Sequence, residues 1–320
     1  MAALYRRLLY VATALALVVV VLGAYVRLSA AGLGCPDWPG CYGHLTVAAA
    51  EAHATQIDAR FPDRPLQPLK ATKEMIHRYA AGTLGLLVLA LVVVGWRQRR
   101  SHVLPLVLAV LIVLQALLGM WTVTLKLKPL VVTAHLIGGM TSLALLWWLL
   151  LDTRPLTKNG AAAQRLRPYA EGGLVLLAGQ ILLGGWTSSH YAGLACTGFP
   201  GCSGQWWPDA DYAAGFGTAA INGAGLIAIQ WMHRLGALAV LLYLGALALG
   251  SRRVMPRLGM TIGMLLLLQI AIGIGNVLTG LPLPLAAAHN AGAALLLLAV
   301  VALNHRLVRV ADAASSGDSS

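Results

Sequence analysis

The chain has 320 residues, 58% of them hydrophobic and only 11% charged, with a mean hydropathy of +0.75. That balance excludes a soluble globular domain and is long enough for several membrane crossings. The formal net charge of +12 does not mark a nucleic-acid partner, because the basic residues sit mostly in short loops between apolar runs, where they report topology.

The first apolar run, about 8–28, follows Arg6 and Arg7. It exceeds the apolar core of a signal peptide and the Ala-rich stretch after it is a weak cleavage signal, so it reads as a retained span. A polar loop, 29–74, carries Cys35 and Cys41, and spans are predicted at about 75–95, 103–123, 130–151 and 171–188. A second polar loop, 189–225, carries Cys196 and Cys202, and three further spans follow at 226–249, 258–279 and 285–304. The residues after 310 are small and polar and predict a disordered tail over 311–320. The expected fold class is an all-α integral membrane protein with eight transmembrane helices. An even count puts both termini on one side. Of the 23 Lys and Arg, 14 fall on that side, so the positive-inside bias places both ends in the cytoplasm and the cysteine loops outside. The first outer loop does carry Arg60, Arg64, Lys70 and Lys73, but long loops weigh little in this rule.

Aligning the spans exposes an internal repeat. Cys35-Pro-Asp-Trp-Pro-Gly-Cys41 matches Cys196-Thr-Gly-Phe-Pro-Gly-Cys202, and His77-Arg78 matches His233-Arg234. Gln115 matches Gln269, and His135 matches His289, each histidine 20 residues after its glutamine. The offsets of 161, 156, 154 and 154 residues drift only by loop insertions. Two four-helix halves, 1–152 and 153–310, are therefore expected in the same orientation, related by a pseudo-twofold axis along the membrane normal.

The four repeated histidines lie near the start of even-numbered spans and so share one depth, close to the outer face. Two histidines on different helices of a bundle can clamp a haem iron from opposite sides, which predicts one bis-histidine site per half. A lone membrane histidine also serves as interhelical glue, and zinc also takes imidazole. Zinc, however, wants three or four close ligands, and the cysteines lie in loops. His44, His53, His102, His190 and His305 have no repeat partner and read as loop residues or satisfied polar groups. Arg78 and Arg234 suit haem propionates or lipid headgroups equally. Gln115 and Gln269 fit either a site or a helix contact. The paired cysteines fit structural disulfides in an oxidising compartment, with redox exchange as the alternative.

Glu74 breaks the symmetry, because Gln230 stands at its place in the second half. Residues three apart share a helix face, so Glu74 points the same way as His77. An acid there can move protons or stabilise developing positive charge, while a carboxylate in a first helical turn also has a purely structural use. The asymmetry predicts a catalytic first half and a supporting second half.

Taken together, Arg27-Leu-Ser with Ala31-Gly-Leu-Gly, the two Cys-x5-Cys loops, Glu74-x-x-His77-Arg78 and the other three histidines resemble the haem A synthase family from about Leu8 to His305. The resemblance implies two pseudosymmetric four-helix bundles in the bacterial inner membrane, which oxidise the C8 methyl of haem O through an alcohol and a gem-diol to the formyl of haem A. His77 and His135 would hold the substrate or product haem, His233 and His289 a haem b, and Glu74 would match the family's essential acid. Expected partners are haem O, haem O synthase, an electron-transfer protein and membrane lipid, with no nucleic acid. A di-haem electron-transfer protein is the main alternative, and a transporter a distant one.

Overall fold

A computed structural model describes residues 2–99, 101–154, 164–217 and 221–317. Arg100 and Lys158, counted above with the basic residues beside the termini, and residues 318–320 lie outside the described residues. The described residues form helices and two isolated backbone bridges, with no strands. They divide into two compact units, Met1–Leu146 and Trp147–Ser320, and the division falls inside one helix.

In the first unit α1 (Ala2–Leu28) packs on α4 (Pro68–Arg97), and α4 on α5 (Val103–Thr124). Two short helices, α2 (Val47–Glu51) and α3 (Ala54–Arg60), lie in the loop before α4. α6 (Pro129–Asp152) meets α5 where Gln115 abuts Gly138. The second unit holds α7 (Arg167–Ser189), the short α8 (Tyr212–Phe216), α9 (Gly223–Arg252), α10 (Pro256–Leu278) and α11 (Leu283–Gly317). There α7 packs on α9, α9 on α10, α10 on α11 and α11 back on α7, closing a ring of four.

Seven helices, all the long ones except α7, are long and apolar enough to cross a membrane. The chain is thus a multi-pass membrane protein on composition and length. α7 covers the remaining expected span, 171–188, and is also 23 residues long. It carries Arg167, Glu171, Gln180 and five glycines, which dilute its apolar character. The expected disordered tail is a second difference: α11 continues through 311–317. Ala311, Ala313 and Ala314 are strong helix formers, which favours extension of a helix already nucleated within the protein.

Helix starts follow local chemistry. Pro68 and Pro256 occupy first-turn positions, where the missing N–H costs nothing. Asn222 caps α9 by accepting from the Gly225 N–H at 2.7 Å. Each unit buries large aliphatic side chains such as Leu91 and Leu108, or Leu244 and Leu266. Outward faces carry exposed apolar residues such as Leu86, Val110, Leu242 and Leu267, as expected where lipid replaces water.

Cys35 pairs with Cys41 and Cys196 with Cys202, the pairing expected, and none of the four is free. Both loops share a cis X–Pro bond, a bridge three residues long and left-handed backbone at Tyr42-Gly43 and at Ser203-Gly204. The first loop is a small core of its own, in which Cys35, Cys41, Tyr42, Ile57 and Met75 pack together. Burial raises the Tyr42 phenol above its ordinary range, so its hydroxyl stays a donor, to the Arg64 carbonyl at 2.9 Å. Gly34 lies hard against the start of α4: a Cβ there would meet the Lys70 carbonyl carbon at 2.7 Å. Gly34→Ala is therefore expected to cost about 1–3 kcal/mol, read as a lower melting temperature in detergent; an unchanged melting temperature would contradict the close approach.

Candidate functional site

Each of the four repeated histidines lies against a glycine of the preceding long helix. A Cβ at Gly23 of α1 would fall 2.9 Å from His77 Cε1, and one at Gly119 of α5 would fall 3.4 Å from His135 Cε1. In the second unit, Gly184 of α7 faces His233 at 3.2 Å and Gly273 of α10 faces His289 at 3.0 Å. Gly23 and Gly184 are 161 residues apart, the offset of the cysteine loops, and Gly119 and Gly273 are 154 apart, the offset of their histidines. A Cβ at Gly23, Gly184 or Gly273 would crowd the imidazole opposite, and one at Gly119 would touch it. His77 and His135 are close enough to interact electrostatically, as are His233 and His289.

The imidazoles differ in how they are held. Nδ1 of His77, His135 and His289 is buried without a hydrogen-bond partner. Nδ1 of His233 instead lies 3.1 Å from the Gln180 amide nitrogen, which also donates to the His233 carbonyl at 3.0 Å. The Gln269 amide donates to the His289 carbonyl at 2.9 Å. Gln115 packs against Gly138, but its amide nitrogen has no partner.

Glu74 is 4% exposed. One carboxylate oxygen accepts from Arg78 Nη2 at 2.6 Å and the other from the Cys35 N–H at 3.1 Å. Gln230, its counterpart, donates to the Gly193 carbonyl at 3.1 Å, and its amide oxygen is buried without a partner. Both arginines turn toward their disulfide loops. Arg78 Nη1 donates to the carbonyls of Asp37, at 2.9 Å, and of Pro39 and Gly40. Arg234 donates to the carbonyls of Gly201 and, at 2.8 Å, Cys196. A propionate contact would have to use other donors, and Arg234 Nε, buried and without a partner, is one.

Sequence reasoning missed Gln180, which has no repeat partner, and the glycine platforms; the recurrence of glycine at the loop and histidine offsets was the signal available. Four of the other five histidines are accounted for locally. His305, placed among loop or satisfied residues, is buried in α11 and bonds Asp152 at 2.7 Å. His190 bonds the Trp186 carbonyl at 3.0 Å, and His44 stacks on His53 with centroids 5.0 Å apart.

The cytochrome oxidase assembly protein family model (COX15-CtaA) matches residues 6–301. A haem A synthase of Shewanella oneidensis is 44% identical over 315 residues, covering 94% of this chain and 96% of its own. A haem A synthase of Rhizorhabdus wittichii is 28% identical across 95% of this chain and 94% of its own, and one of Caulobacter vibrioides 28% identical across 94% and 95%.

The Glu74–Arg78 pair is nearly buried, with side-chain exposures of 5% and 12%. Removing one partner leaves the other charge uncompensated, so Arg78→Ala is expected to destabilise the protein by about 3 kcal/mol or more and to loosen the loop around Cys35–Cys41. Thermal melting and limited proteolysis of that loop measure this; wild-type behaviour in both would rule the clamp out.

Proposed function

The chain belongs to the cytochrome oxidase assembly protein family that contains the matched haem A synthases, and on that premise we propose how its residues share the work. It is a membrane oxidoreductase that converts haem O to haem A. In this reading all eight long helices cross the bacterial inner membrane as two pseudosymmetric four-helix bundles, with both termini cytoplasmic. His77 and His135 ligate the substrate haem and then its product, and His233 and His289 ligate a resident haem b.

The observation that carries the reading is the set of four imidazoles on four glycine platforms, neighbours in pairs within each unit. Close helix approach at glycine leaves the rings seated in the apolar interior, and three of them retain a buried nitrogen that no protein group satisfies. Leaving such a group unpaired costs about 1–3 kcal/mol, which suits a pocket built around another group. Two imidazoles per unit fit an axial pair on haem iron; zinc would find too few ligands, since the cysteines are disulfide-bonded.

A bound haem b supplies reversible one-electron chemistry. Glu74 lies three residues before His77 and therefore on the same face of α4. Held by Arg78 and by the Cys35 N–H, its carboxylate has a fixed position. We assign it the orientation or deprotonation of the attacking water, or stabilisation of positive charge developing at the substrate methyl. Gln230 has nearly the same shape but carries no charge and takes up no proton, which leaves the second half without this chemistry. Arg78 and Arg234 fix the disulfide loops over their histidines, and Arg234 Nε remains for a propionate. The disulfides are structural in this scheme. Haem O synthase and an electron-transfer protein are the expected partners, one delivering substrate and the other removing electrons.

Haem extraction with chromatography and mass spectrometry tests this on protein made with a haem O source. Wild type is expected to yield haem A beside haem b. Glu74→Ala and Glu74→Gln are expected to keep both sites filled while haem A formation falls by about 10²–10⁴-fold, with haem O or its alcohol accumulating. Normal haem A output from either variant would remove Glu74 from the chemistry, and haem b alone in every preparation would favour a di-haem electron-transfer protein.

A further inference from the structure

We propose that Arg27, Lys70, Lys73, Lys126 and Lys128 form a cationic rim at the outer mouth of the first unit, which captures the propionate carboxylates of haem as substrate enters and product leaves. The inference rests on the haem reading above and deepens it. The five residues belong to three segments: the end of α1, the start of α4 and the turn 125–128 between α5 and α6. The stretch Gly32–Gly34 packs against two of these segments. A Cβ at Gly34 would lie 2.7 Å from the Lys70 carbonyl carbon, and one at Gly32 would lie 3.4 Å from Leu127 Cδ2. Arg27 stands one helical turn beyond Gly23, against which His77 is seated. Lys73 lies over the Tyr25 ring, 5.1 Å from its centroid.

By the repeat offsets, the matching residues of the second half are Ser188, Leu226, Ile229, Gly280 and Pro282, none of them charged. Its outer segments, 189–225 and 279–284, contain no lysine or arginine. Three of the first-unit lysines are kept where local backbone physics disfavours them. Lys126 is left-handed, at φ 51°, in a turn whose counterpart uses Gly280 at φ 75°; a residue with a Cβ is strained there and glycine is not. Lys70 lies in the first turn of α4 and Lys128 directly precedes α6, both at the positive end of a helix dipole. Lysines in a short outer turn also run against the positive-inside bias. Lys126 and Lys128 are exposed and make no ion pair among the described residues, so the fold itself does not use their charge.

Haem carries two carboxylates, and a charge at membrane depth is costly, so the propionates face the nearer, outer surface. In the second unit Arg234 keeps Nε for such a group. Arg78 is committed elsewhere, with Nη1 on the carbonyls of the first disulfide loop and Nη2 on Glu74. The first unit therefore needs other cations, and the rim supplies them. Ammonium groups on flexible stems attract a carboxylate without imposing one geometry, which suits a site that takes in one haem and gives up another at each turnover. Charges of this kind act on the rate of encounter more than on the bound state. Confinement of the rim to the half that exchanges haem favours a haem carboxylate over an anionic lipid, which would have no reason to prefer one half.

The test is the rate at which haem O, added to the full-length protein in detergent with haem b already bound, develops the absorbance of a bis-imidazole haem. Haem O dimethyl ester, in which both carboxylates are masked, is the comparison. K126Q/K128Q is expected to load haem O about 10-fold more slowly at low salt and to lose that deficit at about 1 M salt, where the Debye length is about 3 Å. It should load the ester at the wild-type rate. Lys126→Gly separates charge from fold, because it also relieves the left-handed turn: it should melt no lower than wild type and still load haem O more slowly. A wild-type loading rate in K126Q/K128Q, or an equal deficit with haem O and its ester, would overturn the inference. A deficit confined to nanodiscs containing phosphatidylglycerol would assign the rim to lipid headgroups and overturn it as well. Failure of the underlying haem reading looks different, since wild type would then show no absorbance change with haem O that His77→Ala removes.

Discussion

Everything at the candidate site depends on helices approaching closely enough at glycine for an imidazole to take the place of a side chain. Gly23, Gly119, Gly184 and Gly273 each supply that space, and the ring opposite lies within 3.4 Å of where a Cβ would stand. In a membrane there is no water to satisfy a polar ring, and the hydrophobic effect does not draw helices together, so tight packing at small residues has to bring them into contact. The same contacts that join the helices thus define where the four histidines stand. A haem pocket on such a frame needs no mobile loop to assemble its ligands.

Above this frame the two disulfide loops are tied down by the arginines that follow the first histidine of each unit. Arg78 and Arg234 both spend guanidinium donors on loop carbonyls, at Gly40 and at Gly201, which are 161 residues apart. In the first unit the clamp has one more member, Glu74, which joins Arg78 to the Cys35 N–H. The acid assigned to chemistry is therefore also part of the scaffold, and Gln230 keeps a comparable anchoring role through Gly193 without a charge. A substitution at Glu74 acts on both functions, which is why Glu74→Gln, nearly isosteric, separates them better than Glu74→Ala.

The sequence made much of this legible for plain physical reasons. Apolar runs of about 20 residues announce membrane helices, and histidines entering such runs are costly enough to stand out. Paired cysteines six apart in polar loops pointed to the disulfides that formed. Interactions that cross the chain were not legible. Nothing in the sequence links Asp152 to His305, or Arg78 to the carbonyls of a loop some 40 residues earlier. Gln180 does not recur in the first half, so no repeat marks its contact with His233. α7 also has an apolar stretch, but its glycines, Glu171 and Gln180 dilute that stretch below those of the other seven long helices. Those glycines have a use, since Gly184 seats His233.

The central claim is that each unit carries its own bis-histidine haem. Electron paramagnetic resonance of the oxidised, fully loaded protein tests it most directly, with haem counted per chain. The account predicts two low-spin bis-imidazole signals, one abolished by His77→Ala and only the other by His233→Ala. A single signal in wild type, or the loss of both signals from either substitution, would contradict it.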